Sequence, residues 1–114
     1  WKARRSYIML SAEELRRLWE SQDGKCGLTG IDLDDAAELD HIMPISKGGD
    51  NSYSNSRWLC RTVNQAKRDL TDEEFFALCQ AITQSTAYTE WIGKQLIKAI
   101  KGKRRDGVEF TLSC

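Results

Sequence analysis

Four polar residues, Asp40, His41, Asn55 and Asn64, constrain the fold of this chain more than any other feature, because they can act together only if the chain between them turns back on itself. Residues 46–56 are rich in Ser, Gly, Asn and Asp, a composition typical of a loop whose side chains bond to its own backbone. A long loop inside a compact domain is usually either functional or disordered. The pattern therefore predicts two elements that flank a loop and carry these side chains to one place.

The segments around this loop have the character of two strands and a short helix. Residues 38–42 predict a strand, and Pro44 prevents that strand from continuing as a central member of a sheet. Residues 58–60 can return as a second strand, and residues 62–68 can form a short helix that presents Asn64. The predicted order is strand, loop, strand and helix.

As a set, the motif residues resemble those of the HNH endonuclease family. The shared elements, in family order, are Asp40-His41, Pro44, Gly48-Gly49, Asn55, and Asn64 followed by Lys67. Their intervals, and the Asp before the His, are similar to those of the HNH domains in RNA-guided DNA-cleaving enzymes. The resemblance covers about residues 26–69 and implies an α+β fold, a ββα-metal core embedded in a mainly helical small domain.

The length of the chain indicates that it forms one small domain. A chain of 114 residues is long enough for one modest core and too short for two independent ones. We therefore expect a single HNH-type domain over residues 1–114, with the ββα-metal core at about 38–69 and helical extensions at 11–22 and 71–102. Because the sequence begins with Trp1, we expect the native start to lie upstream of it.

Local signals define the helical extensions. Capping boxes at residues 11–14 and 71–74 predict the starts of two helices. A third helix is predicted over residues 89–101, with these apolar residues on its buried side: Trp91, Ile92, Leu96, Ile97 and Ile100. Residues 108–112 alternate like a short terminal strand.

The motif residues have the chemistry that phosphodiester hydrolysis requires, namely an activated water and stabilisation of phosphoryl charge. His41 is the only histidine, and an imidazole exchanges protons near neutral pH, so we predict that it activates the water. The Asp40 carboxylate and the Asn64 amide oxygen are hard ligands suited to Mg²⁺ or Mn²⁺. The resemblance implies that Asn55 belongs to the catalytic site, where it holds the loop and orients His41.

Each motif residue also has an ordinary structural explanation. An Asp-His pair is usually a surface pair, Asn55 alone would be a turn residue, and Asn64 alone would lie on a helix surface. Adjacent strand residues also point to opposite faces, so Asp40 and His41 can share a site only if the strand end is bent or bulged. Their arrival in family order favours the catalytic interpretation.

Basic side chains around the motif are candidate contacts to phosphates. The formal net charge is +0, so bulk charge does not hold nucleic acid and the local placement of charge matters. Lys67 and Arg68, which follow Asn64 on the short helix, are the first candidates. Further candidates are Arg57, Arg61 and Lys47. We expect double-stranded DNA to be bound through its phosphate backbone with weak sequence preference.

The cysteines do not form the pattern of a metal site or a disulfide framework. They lie at irregular intervals: Cys26, Cys60, Cys79 and Cys114. Many members of the resembled family hold a structural zinc ion between two Cys-x-x-Cys pairs. Here Thr29 and Val63 replace the second cysteine of each pair, so we expect no structural Zn²⁺. We expect Cys26 and Cys60 to be neighbouring reduced thiols and Cys114 to be a terminal thiol.

The sequence thus predicts a metal-dependent HNH endonuclease that nicks one DNA strand as a monomer, with a dimer as one route to double-strand cleavage. Two alternatives stay open: a nucleic-acid-binding module with weak or lost catalysis, and an accessory module that joins a protein partner in a phage packaging or restriction system. No apolar run approaches the roughly 18 residues needed to cross a membrane. We therefore expect a cytoplasmic protein, encoded by a bacterium or a phage.

Overall fold

The structure is a computed structural model that describes residues 9–102 and 113–114, without the side chains of 99–102. The described residues form four α-helices and a two-stranded antiparallel sheet, in the order α1 (Ala12–Ser21), β1 (Glu38–His41), β2 (Ser56–Leu59), α2 (Arg61–Lys67), α3 (Asp72–Thr83) and α4 (Thr86–Gly102). This confirms the predicted α+β class. The predicted strand at 108–112 lies outside the described residues.

Helix α1 begins at a capping box, as its sequence predicted. The Ser11 hydroxyl accepts the N–H of Glu14 at 3.1 Å, and the Glu14 carboxylate accepts the N–H of Ser11 at 3.0 Å. Each side chain thereby satisfies a backbone donor that a helix start leaves without a partner. The helix ends before Asp23 and Gly24, whose φ values of 57° and 66° are left-handed.

A hydrophobic core lies between α1 and the sheet. Leu18 of α1 and Trp58 of β2 are buried together with Ala37, which directly precedes β1. The ring of Trp19 meets the ring of Trp58 edge to face, with the two centroids 5.6 Å apart. Gln22 accepts the N–H of Trp58 at 2.7 Å and donates to its carbonyl at 2.9 Å. Both apolar packing and hydrogen bonds therefore fix α1 against β2.

The two strands and α2 form a compact ββα arrangement. The register of β1 against β2 pairs Glu38 with Leu59, Leu39 with Trp58, Asp40 with Arg57 and His41 with Ser56. Helix α2 packs against β1. In this arrangement Glu38, at the start of β1, contacts the middle of α2, and the end of β1 contacts Lys67, the last residue of α2.

The loop between the strands is folded tightly. It contains two 3₁₀ turns, Ile45–Lys47 and Tyr53–Asn55. The N–H of Gly49 donates to the carbonyl of Pro44 at 2.9 Å. A Cβ at Gly49 would overlap the carbonyl oxygen of Met43. The loop closes on itself only because this position carries no side chain.

The chain divides into two compact units. The first contains the described residues up to Asp72 together with Ser113–Cys114, and the second begins at Glu73. The interpretation of residues 1–114 as a single domain stays a prediction. Among the described residues, no helix is long and apolar enough to span a bilayer.

Helix α4, and α3 apart from its first residue Asp72, belong to the second unit. Helix α4 begins at Thr86, earlier than predicted, because the Ser85 hydroxyl accepts the N–H of Tyr88 at 2.9 Å and so caps it. The prediction that Trp91 and Ile97 lie on a buried face is wrong, since each is 56% exposed. Periodicity marked the apolar residues of these helices without indicating how much of them would be covered.

The prediction that Cys60 and Cys114 are reduced thiols is also wrong. They form a disulfide with a Cα–Cα distance of 5.2 Å. Cys26 is a buried free thiol, and its sulfur accepts the N–H of Cys60 at 3.4 Å. Burial raises the pKa of the Cys26 thiol, but hydrogen bonds led by that from Thr29 outweigh it and leave the pKa below its ordinary value. The two bonded cysteines are 54 positions apart, and no local spacing signals such a pairing.

Candidate active site

The end of β1, the following loop and α2 surround a cavity of about 550 Å³. Its walls are formed by Leu39, Asp40, His41, Pro44, Ile45, Ser46, Asn64, Arg68 and Asp69. Asp40 and His41 come from the last two positions of β1, and Asn64 lies at the centre of α2. The fold therefore brings three of the predicted site residues to one cavity, with Arg68 at its wall.

The imidazole of His41 is held by Asn51, a residue that the sequence did not single out. His41 Nε2 lies 2.8 Å from Asn51 Oδ1. An amide oxygen only accepts, so Nε2 carries the proton of the neutral ring and Nδ1 keeps the lone pair. Asn51 was missed because it sits in a loop rich in Asn and Ser, where composition does not distinguish one amide from another.

Asn55 bonds to the backbone of the loop rather than to His41. Its oxygen accepts the N–H of Met43 at 2.8 Å, and its nitrogen donates to the carbonyls of Met43 at 3.0 Å and Asp50 at 2.8 Å. It therefore ties the start of the loop to the segment just before Asn51. The resemblance to the family counts Asn55 with the catalytic site and predicts that it holds the loop, and these bonds are consistent with that positioning role.

Lys67 lies in a different place from the one predicted for a phosphate contact. Its side chain is 0% exposed, and its ammonium lies 3.3 Å from both carboxylate oxygens of Asp40. The ammonium also donates to the carbonyls of His41 at 3.3 Å and Ile42 at 3.4 Å. The chain bends at Ile42 and Met43, directly after β1. Lys67 thus holds the strand end that presents both motif residues.

Arg57 is similarly engaged inside the protein. Its Nε donates to Asp40 at 3.0 Å, and its two terminal nitrogens donate to Asp72 at 2.9 and 2.5 Å. The Arg57 side chain is only 12% exposed, so the geometry does not support the phosphate contact predicted for it. Burial raises the pKa of the Asp40 carboxyl, and the charges of Lys67 and Arg57 only partly oppose that rise.

The other predicted cations face outward. Arg68 is exposed beside the cavity, where its φ of 52° ends α2. The Arg61 side chain is 61% exposed and lies 3.6 Å from Glu38. The ammonium of Lys47 is exposed and donates to the carbonyl of Asp69 at 2.7 Å.

Glu38 is the second residue that the sequence analysis missed. Its Oε1 accepts a hydrogen bond from Asn64 Nδ2 at 2.8 Å. Glu38 lies on β1, two positions before Asp40, and side chains two apart on a strand share a face. The alternation of the strand was the signal that could have identified it.

The donor chemistry of the cavity fits a hard divalent cation. Within residues 9–102 and 113–114, no group of three or more His, Cys, Asp or Glu side chains is arranged to hold a metal. The residues that line the cavity include two carboxylates, Asp40 and Asp69, and one side-chain amide, that of Asn64. Mg²⁺ keeps several waters and commonly takes few protein ligands, so this small set is adequate.

The fold and the site together define a small α+β protein with a ββα core and an Asp-His pair at its strand end. Residues 26–80 match the family model described as HNH endonuclease. This match supports assignment of the chain to the HNH endonuclease family and confirms the resemblance drawn from its motifs. The matched segment contains both strands, the loop between them and α2.

Proposed function

We propose that this protein is a divalent-metal-dependent endonuclease that hydrolyses phosphodiester bonds of DNA and cuts one strand at a time. The observation that supports this most is that the predicted base, His41, shares one cavity with the predicted ligands Asp40 and Asn64. That cavity lies inside the segment matched to the HNH endonuclease model. One such site per chain favours nicking over double-strand cleavage.

In this proposal His41 removes a proton from the attacking water through Nδ1. The hydrogen bond between Nε2 and Asn51 leaves the lone pair on Nδ1 and stabilises the ring after it is protonated. Asn55 acts on His41 indirectly, because its hydrogen bonds to Met43 and Asp50 fix the loop that carries Asn51.

Asp40 and Asn64 would hold Mg²⁺ or Mn²⁺. When bound, such an ion stabilises charge on the phosphoryl group and on the departing 3′ oxygen. Lys67 and Arg57 keep the Asp40 carboxylate in place through contacts of 3.3 and 3.0 Å. These two cations therefore serve the site from within the protein and leave DNA contacts to other residues.

Arg68 is the best placed cation for the phosphate at the cavity. Its exposed guanidinium follows Asn64 by one helical turn and can make bidentate contacts to phosphate oxygens. Arg61 and Lys47 are exposed on the same unit and would contact neighbouring phosphates. Phosphate contacts of this kind carry no sequence information, so we expect weak sequence preference.

Cleavage of supercoiled plasmid tests the proposal. The wild-type protein should accumulate nicked circles with Mg²⁺ or Mn²⁺ and stop in EDTA, and His41→Ala should lower the rate by roughly 10²–10⁴-fold because it removes the base. Gln80→Ala, an exposed change in α3, is the control and should cleave like wild type. If no metal supports cleavage while plasmid is still retarded on a gel, the protein is a binding module instead.

A further inference from the structure

We propose that Glu38 is a positioning residue that fixes the side-chain amide of Asn64 with its oxygen toward the metal. The inference rests on the proposed metal site and assigns a role to a side chain outside the Asp-His, Asn and Asn motif. It follows from the hydrogen bond of 2.8 Å between Asn64 Nδ2 and Glu38 Oε1.

An asparagine side chain offers an oxygen on one side and an NH₂ group on the other, and only the oxygen can bind a cation. A glutamate carboxylate accepts hydrogen bonds and donates none. With Glu38 beside it, Asn64 must turn its nitrogen toward the carboxylate, and its oxygen then faces away. The reverse orientation would set an amide oxygen against a carboxylate oxygen and an NH₂ group toward the cation.

Glu38 is well placed to hold this orientation. It lies on β1 opposite Leu59, and its side chain is 29% exposed. Its Oε1 bonds to Asn64, while its Oε2 lies 3.6 Å from Arg61 Nε. Arg61 and Asn64 are three positions apart on α2 and so share one helix face. The carboxylate is thus restrained by two residues of the same helix.

The test measures Mn²⁺ binding to the protein without DNA, by electron paramagnetic resonance titration. Glu38→Gln keeps the shape of the side chain but can pair with either orientation of Asn64, so it should weaken Mn²⁺ binding by about 10-fold, as is typical for a group that orients a ligand. Glu73→Gln removes one exposed carboxylate from α3 and should leave the affinity unchanged. Thermal unfolding in EDTA should show that both variants are folded.

Repeating the Glu38→Gln change in the Asn64→Asp variant distinguishes an effect on the orientation of the residue 64 side chain from an effect of the Glu38 charge. In Asn64→Asp the ligand has two equivalent oxygens and no orientation to fix, and it repels Glu38. Adding Glu38→Gln to Asn64→Asp should therefore leave Mn²⁺ binding unchanged or make it tighter. If Glu38→Gln weakens binding equally in both backgrounds, Glu38 acts through its charge or as a ligand, and the positioning role is wrong. No effect in either background also overturns it.

The same titration distinguishes failure of this inference from failure of the proposed function. If wild type binds Mn²⁺ and Asn64→Ala does not, the metal site stands, and the Glu38 variants decide the positioning role alone. If wild type and Asn64→Ala bind Mn²⁺ equally, the proposed metal site is wrong, and the role of Glu38 falls with it.

Discussion

The unit that carries the site and the helical unit that follows it differ in what they bury. In the first unit Leu59 and Lys67 are completely buried, and the charge of Lys67 is matched by Asp40. In the second, α3 buries none of its residues, and Leu78 is 45% exposed. The sequence of the first unit contains the family motif, and the sequence of the second contains the apolar periodicity of amphipathic helices. The difference teaches that such patterns locate helices and strands but do not determine how completely they are covered.

The largest expected effect comes from Lys67→Met in the first unit. This change leaves the buried Asp40 carboxylate with only Arg57, and breaking a buried ion pair costs about 3–5 kcal/mol. We expect the free energy of unfolding to fall by about that amount in urea titrations. Lys98→Met, an exposed lysine of α4, should change it by less than about 0.5 kcal/mol. A loss below about 1 kcal/mol for Lys67→Met would mean that Arg57 alone compensates the carboxylate.

A matched pair of leucines compares the packing of the two units directly. Leu59→Ala removes a side chain that is 0% exposed, and truncation of a buried leucine costs about 2–5 kcal/mol. Leu78→Ala makes the same chemical change at 45% exposure and should cost less than about 1 kcal/mol. Urea unfolding followed by circular dichroism measures both. Equal losses would show that α3 is covered in solution and would remove the contrast.

Helix caps should be equally important in both units, because a cap is a local interaction. Ser11→Ala removes the cap of α1, and Ser85→Ala removes the cap of α4. Each should lower the stability of its own helix by about 1 kcal/mol. Amide hydrogen exchange within α1 and α4 measures the two losses separately. A much smaller loss in α4 would show that this helix start is not formed in solution.

The smallest expected effect concerns Asp50, in the loop beside the site. Hydrogen bonds from the hydroxyl and the N–H of Ser52 hold the pKa of Asp50 below its ordinary value of 3.8. Since the folded pKa is depressed, this stabilisation is present above pH 3.8 and is lost as the pH falls through the folded pKa. A ¹³C NMR titration should show the depressed pKa, and Ser52→Ala should raise it. Identical titrations would mean that the hydroxyl does not contact the carboxylate.

Much of the first unit could be predicted from sequence, because its signals are local. The capping box at Ser11 and Glu14 predicted where α1 begins, and the elements around the loop predicted β1, β2 and α2. The family motif supplied their order. These features depend on residues that are close in the chain, where side-chain chemistry and backbone conformation are directly coupled.

The parts that could not be predicted depend on long-range contacts. Its place after Asn64 predicts Lys67 as a surface cation, but the fold turns Lys67 toward Asp40, 27 positions earlier in the chain. The Cys60–Cys114 disulfide and the bond between Glu38 and Asn64 are likewise set by the tertiary arrangement. Residue type predicts which partners a side chain accepts, and only the fold selects among them.

The tight contact at Gly49 means that the proposed activity depends on the backbone as well as on the side chains of the cavity. One methyl group at this position would collide with the carbonyl of Met43 and come within 3.0 Å of Asn55 Nδ2. The loop would then open while every ionisable side chain of the cavity remained in the chain. Under the function proposed above, Gly49→Ala should therefore lower cleavage without changing the charge of any side chain. It would also provide a catalytically silent reagent whose surface charges are those of the native protein.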